Sequence, residues 1–222
     1  MANSVDEIIR EYIDFVNRQV GVYIDALAGF EGHYARVERQ IHRVDRPVGT
    51  RPDEKGQQVM VWASYEDPTK PDIIHNRIIR AQDYLEANSK DGSNSQQHSQ
   101  AILVFLFTYW EEETRPRLAV ARGVNKDSIK SNIMGDLREL RHAILHTKGI
   151  IKPEKYNKLS MLKNMFEVGK PIHITYENMN DIFKYIKQHC AKMMFEWLGV
   201  KDIPIRLEEI TDMAIQLRSN KP

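Results

Sequence analysis

The chain has 222 residues, 41% hydrophobic and 28% charged, a balance that supports a packed core and excludes a disordered polymer. Thirty-two basic residues face thirty-one acidic ones, so net charge specifies no nucleic-acid partner and any such surface must come from local clustering. The single cysteine, Cys190, excludes an internal disulfide and a cysteine-based zinc site and suits a reducing compartment.

The opening segment MANSVDEIIREY lacks a basic stretch followed by an apolar one, so no secretory signal is expected. The most apolar run, Ala101–Trp110, is half the roughly 20 residues that span a bilayer. A soluble, cytoplasmic protein without a membrane partner is the expectation.

Ile9, Tyr12, Val16, Val20, Tyr23, Leu27, Phe30, Tyr34, Val37, Ile41 and Val44 recur at steps of three or four. That period predicts a long amphipathic helix over residues 1–45, packed along its length or paired with a second subunit. Gly21, Gly29 and Gly32 each weaken it by about 1 kcal/mol relative to alanine, so packing has to hold it. Residues 46–71, punctuated by Pro47, Gly49, Pro52, Gly56, Pro68 and Pro71, are predicted as a loop. Within it, Val59-Met-Val-Trp62 suits a short strand.

After Asp72, a plausible cap, Ile73, Ile74, Ile78, Ile79 and Leu85 are read as a returning helix, and residues 88–97 as a polar connector. A central, largely buried helix is expected from about Gln97 to Ala121, closed by Gly123 and Asn125. The next should begin near Asp127 or Ser128, bury Ile129, Ile133, Leu137, Leu140 and Ile144, and end at Lys148-Gly149 with glycine in the left-handed cap. A short helix within Lys155–Met165, an extended Pro171–Thr175 and a last long helix over Tyr176–Leu198 complete the pattern. The predicted class is all-α: an up-and-down bundle over 72–198, a long amino-terminal helix, at most a minor β element, and a tail or helix over 199–222.

One constellation carries chemistry. Arg141-His-Ala-Ile-Leu-His146 places an arginine five residues before a histidine near the end of a late helix, with a second imidazole, His142, directly after the arginine. RNA supplies its own nucleophile, the 2′-hydroxyl. Cleavage then needs a base, an acid for the leaving 5′-oxygen and a cation for the phosphorane. Imidazole can be base or acid near neutral pH. Arginine grips phosphate oxygens with a planar fork. Five helical residues turn through roughly 500°, so Arg141 and His146 should project about 140° apart. Either the helix distorts near His146, or the site is composite, with a second chain contributing.

The stretch DLRELRHAILHTKG, with the later MFEVGKPIHITYENMNDIF, resembles HEPN-family ribonucleases and their Arg-x-x-x-x-His motif. The resemblance covers Asp72 to Leu198. It implies a HEPN-like helical bundle, catalytic Arg141 and His146, and supporting or RNA-binding roles for His142, Arg138 and Lys148. It further implies a homodimer whose two motifs meet, no metal and no cofactor. The activity implied is that of a metal-independent endoribonuclease of toxin or phage-defence type. RNA is the substrate, the products carry 2′,3′-cyclic phosphate and 5′-hydroxyl ends, and an antitoxin or regulatory protein is a partner. The alternative is a non-catalytic HEPN module for dimerisation or effector binding. Some toxins of the family carry a tyrosine two residues after the histidine; here that position is Lys148, which speaks against modification at that site. Between His146 and Lys192 nine lysines face four carboxylates, a bias able to steer RNA. Glu111, Glu112 and Glu113 cannot all face one metal ion from consecutive helix positions; Arg115 and Arg117 are their expected partners.

Overall fold

The computed structural model describes residues 4–43, 50–52, 58–65 and 73–200. Its class is all-α with one minor β element. In chain order the elements are α1 (Val5–Arg43), β1 (Thr50–Pro52), β2 (Gln58–Tyr65), β3 (Ile73–Arg80), α2 (Ala81–Asn88), α3 (Ser93–Tyr109), α4 (Arg115–Arg122), α5 (Asn132–His146), α6 (Pro153–Tyr156) and α7 (Tyr176–Trp197). No helix among the described residues is long and apolar enough to cross a membrane. The described residues form two compact units, one made of residues 4–23 with 99–200, the other of the described residues between 24 and 98. This division differs from the expected separation of a 1–45 extension from a 72–198 bundle, because the first turns of α1 belong with the later helices. The expected tail lies, beyond Val200, outside the described residues.

In the larger unit the apolar stripe of α1 is buried where Ile9, Tyr12, Val16 and Tyr23 fall. The Tyr12 hydroxyl donates to the Leu106 carbonyl at 3.0 Å and its ring lies 5.5 Å from that of Trp110. The expected stripe of α5 is buried at Ile133, Leu137 and Leu140, with Ile129 buried just before the helix begins. On α7, Ile182, Phe183, Ile186 and Cys190 do the same. Each fully buried aliphatic side chain contributes about 1.5–3 kcal/mol. Burial pushes the Cys190 thiol up to about 12, which leaves it unreactive.

The helix expected from Gln97 to Ala121 begins earlier and is interrupted. Between α3 and α4, Trp110–Thr114 form one π-helical turn, in which the Arg115 N–H reaches the Trp110 carbonyl five residues back. Pro116 follows immediately. Its ring has no N–H and crowds the carbonyl four residues earlier, so a widened turn lets the helix pass the proline.

Helix α5 starts at Asn132, later than expected. Ser131 caps it by accepting the Met134 N–H, and the chain before it forms a 3₁₀ turn at Lys126–Ser128. One turn inside, the buried Asp136 carboxylate accepts the backbone N–H groups of Ser160 (2.9 Å), Met161 (2.8 Å) and Leu162 (2.8 Å). The clamp fixes the segment after α6 against α5. At the other end the Gly149 N–H bonds to the Ala143 carbonyl at 2.9 Å, with Lys148 at φ 54° and Gly149 at φ 78°. The left-handed stop expected at glycine therefore takes in Lys148 too. Thr175 and Asn178 form a reciprocal capping box at the start of α7.

In the smaller unit β1, β2 and β3 form an antiparallel meander with an irregularity between Trp62 and Ala63. The strand expected at Val59–Trp62 is part of β2. The helix expected after Asp72 is corrected: Ile73–Arg80 is β3, and helix begins only at Ala81. Four β-branched residues in eight suit a pleated strand, and a short apolar run carries no periodicity that separates strand from helix. Val37, Tyr84 and Leu85 form this unit's buried cluster. The connector of α2 and α3 shrinks to four residues, and a Cβ at Gly92 would collide with the Glu86 and Ala87 carbonyl oxygens.

Two stability predictions follow from buried polar groups. Asp136→Ala leaves three backbone N–H groups without their acceptor. It should cost about 3 kcal/mol in urea unfolding and remove hydrogen-exchange protection at Met161 and Leu162, while Asp136→Asn should cost less. His189 on α7 packs edge-on against Trp110, and burial, with the cations of Lys192 and Arg122, lowers its pKa to about 4. A histidine depressed in the folded state takes up protons on unfolding between its folded and unfolded values. Stability should therefore fall from pH 6.5 to about 4, by an amount of order 3 kcal/mol. His189→Gln should flatten that slope; an unchanged slope would contradict the assignment.

Candidate functional site

Helix α5 carries every candidate residue except Lys148. Its inner side, Leu137, Leu140 and Ala143, is fixed in the core, and the remaining directions are assigned by the helical angle. The helix is α-helical through His146, so distortion of the last turn is excluded as a way of bringing Arg141 and His146 together. The two side chains project about 140° apart around the axis.

Arg141 is half-buried, its guanidinium carbon 5.7 Å from the centroid of the Phe107 ring on α3. Its Nε is buried and has no hydrogen-bond partner among the described residues. His146 is exposed at the helix end, and its ring centroid lies 4.9 Å from that of His142, one turn earlier, with the planes tilted by 46°. The structure thus pairs the two imidazoles on one face. Arg141 makes its contact elsewhere.

A buried carboxylate stands behind this face. Glu139, 3% exposed, accepts Arg138 Nη2 at 3.1 Å on one oxygen and receives Lys155 Nζ at 3.1 Å on the other. Burial pushes its pKa upward, but hydrogen bonds and charges from Lys155 and Arg138 outweigh that and hold it below the ordinary carboxylate value. Arg138 is otherwise largely exposed, as is Lys148 in its left-handed turn. His142 is held below the ordinary histidine value, first by partial burial, then by Lys155 and His146, with Glu139 opposing. A partly buried imidazole of lowered proton affinity beside an exposed one is a pair suited to proton transfer.

Glu139 and Lys155 escaped sequence reasoning. The glutamate sits three residues before His142, a spacing that signals contact, but its burial depends on Lys155 arriving from α6. The acidic run behaves partly as expected: Glu111 pairs with Arg115 at 2.9 Å, and also with Lys126 at 2.8 Å. Arg117 instead pairs with Glu11 on α1 at 2.6 Å.

No family model, curated protein or solved structure matches the chain.

The electrostatics make a direct prediction. In a proton-detected titration, His142 should titrate below 6.5, and Lys155→Met should move it upward, because a cation leaves and Glu139 is freed to favour the imidazolium. A His142 midpoint unmoved by that substitution would contradict the arrangement.

Proposed function

We propose that the chain is a metal-independent endoribonuclease of toxin or phage-defence type, working as a cytoplasmic homodimer with a composite site. The reading rests on the resemblance of Arg141 to His146 to the HEPN motif. The observation that supports it best is the imidazole pair at the end of α5, 4.9 Å apart and within the field of Lys155. One histidine takes the proton of the 2′-hydroxyl, which attacks the adjacent phosphorus; an imidazolium gives a proton to the departing 5′-oxygen. The products are a 2′,3′-cyclic phosphate and a 5′-hydroxyl. Arg141 carries the charge of the phosphorane. Arg138 and Lys148 hold the RNA backbone, and His142 supports His146 from one turn before it.

Helical geometry supports the dimer. An arginine and a histidine 140° apart on a straight helix cannot readily meet at one phosphate, whereas a second copy can supply the missing group. Leu145, beside His146, is 50% exposed, an apolar residue suited to such an interface. The lysine at position 148, in place of the tyrosine seen in some toxins of the family, directs inhibition by an antitoxin or regulatory protein away from modification there.

The second reading, a non-catalytic HEPN module for dimerisation or effector binding, is favoured by one observation. The guanidinium of Arg141 lies over Phe107 with a buried Nε, as a packing arginine would.

The readings separate in one assay. Purified protein is incubated with single-stranded and structured RNA in EDTA, beside Arg141→Ala, His142→Ala and His146→Ala. Arg141→Ala and His146→Ala should each lose about 10²–10⁴-fold in cleavage while keeping their fold, and the wild-type products should carry cyclic phosphate. Undiminished cleavage by both variants would exclude the site, and a wild type without cleavage would favour the second reading.

A further inference from the structure

A cavity of about 550 Å³ opens in the larger unit between the end of α4, the start of α5 and the outer turns of α7. It lies in the size range of small-molecule sites, roughly 300–1,000 Å³. Its charged lining is unbalanced: Arg122, Lys130 and Lys192 face the single carboxylate of Glu196, whose contact with Lys192 is long at 4.0 Å. Arg122 Nε and His189 Nε2, on two of its lining residues, are buried nitrogens without a hydrogen-bond partner among the described residues, while Arg122 Nη2 donates to the Met193 carbonyl at 3.3 Å. A buried polar group left unmet is costly, and two on residues of one cavity favour a ligand that can pair with them.

A third feature points to the same ligand. Asn132 and Ile133, the first two residues of the fifteen-residue α5, are in the cavity wall. Their N–H groups lack intrahelical partners by position, and the helix dipole favours an anion there. The Ser131 hydroxyl is already committed to the Met134 N–H, so these two donors are not capped by it. Tyr185, Met161 and Met193 add an apolar and aromatic wall, which a bare inorganic anion would leave uncovered.

We infer that this cavity binds a small organic phosphate, a phosphomonoester of nucleotide size. Its phosphoryl group is held by Arg122, Lys130, Lys192 and the first N–H groups of α5, and its organic part rests against Tyr185 and the methionines. A phosphoryl dianion matches the local excess of two positive charges and offers three acceptor oxygens to a converging set of donors. His189 Nε2 serves as a further hydrogen-bonding group without adding charge, since its imidazole is neutral at neutral pH. This site involves none of the motif residues on the last turns of α5.

The test uses the full chain and four probes: AMP, ribose 5-phosphate, adenosine and inorganic phosphate. AMP should raise the Tm by about 5 °C at a hundredfold excess over its Kd, ribose 5-phosphate and inorganic phosphate less, and adenosine not at all. Lys130→Ala and Lys192→Ala should each weaken AMP binding about tenfold by calorimetry at unchanged intrinsic Tm. In an imidazole NMR spectrum AMP should shift His189 and leave His142 and His146 in place, which separates this cavity from the proposed RNA site. Absence of stabilisation by all three phosphates, AMP binding unchanged in both lysine variants, or shifts confined to His142 and His146 would overturn the proposal. Equal affinity for AMP and inorganic phosphate would overturn its organic part.

Discussion

The architecture around the motif depends on how α5 is buried. Ile133, Leu137, Leu140 and Ala143 fix one side of the helix in the core, and the Asp136 carboxylate locks its first turns to the segment at residues 160–162. A helix pinned along one side cannot rotate, so the direction of every other side chain is decided at 100° per residue. The helix ends at His146 and the chain turns left-handed at Lys148 and Gly149, keeping that histidine at an open end.

Chemistry at the motif follows from that constraint. His142 and His146 share a face and sit together, while Arg141 projects toward Phe107. Partial burial first, then the ammonium of Lys155 acting against the carboxylate of Glu139, lowers the proton affinity of His142. A single chain therefore presents two imidazoles and a neighbouring cation, with the arginine turned aside. The proposed ribonuclease reading accommodates this by sharing the phosphate between two copies. The cavity at the opposite end of α5 is lined by Asn132 and Ile133, whose N–H groups the Ser131 cap does not reach.

Much of this was legible in the sequence, for identifiable reasons. The three-to-four-residue period located α1 and α5, and Gly149 marked the stop of α5, because burial and backbone handedness act locally. The strand at Ile73–Arg80 was not legible: its doubled isoleucines fit either element, and pairing with β2 decided the outcome. The π turn at Trp110–Thr114 was signalled by Pro116, but a proline near a helix end also fits a simple start. In the motif, residue types and spacing were readable, and so was the 140° separation. The roles of Glu139, Lys155 and Asp136 were not, since each depends on partners brought from a distant part of the chain.

The composite site is the claim on which the functional account turns, and subunit mixing tests it most directly. Full-length Arg141→Ala and His146→Ala chains, each inactive alone, are combined under conditions of verified subunit exchange and assayed on RNA in EDTA. If arginine and histidine come from different chains, random pairing should restore roughly a quarter of wild-type activity, carried by heterodimers with one complete site. No recovery in a mixture of demonstrated heterodimers, with wild type active, would contradict the composite site.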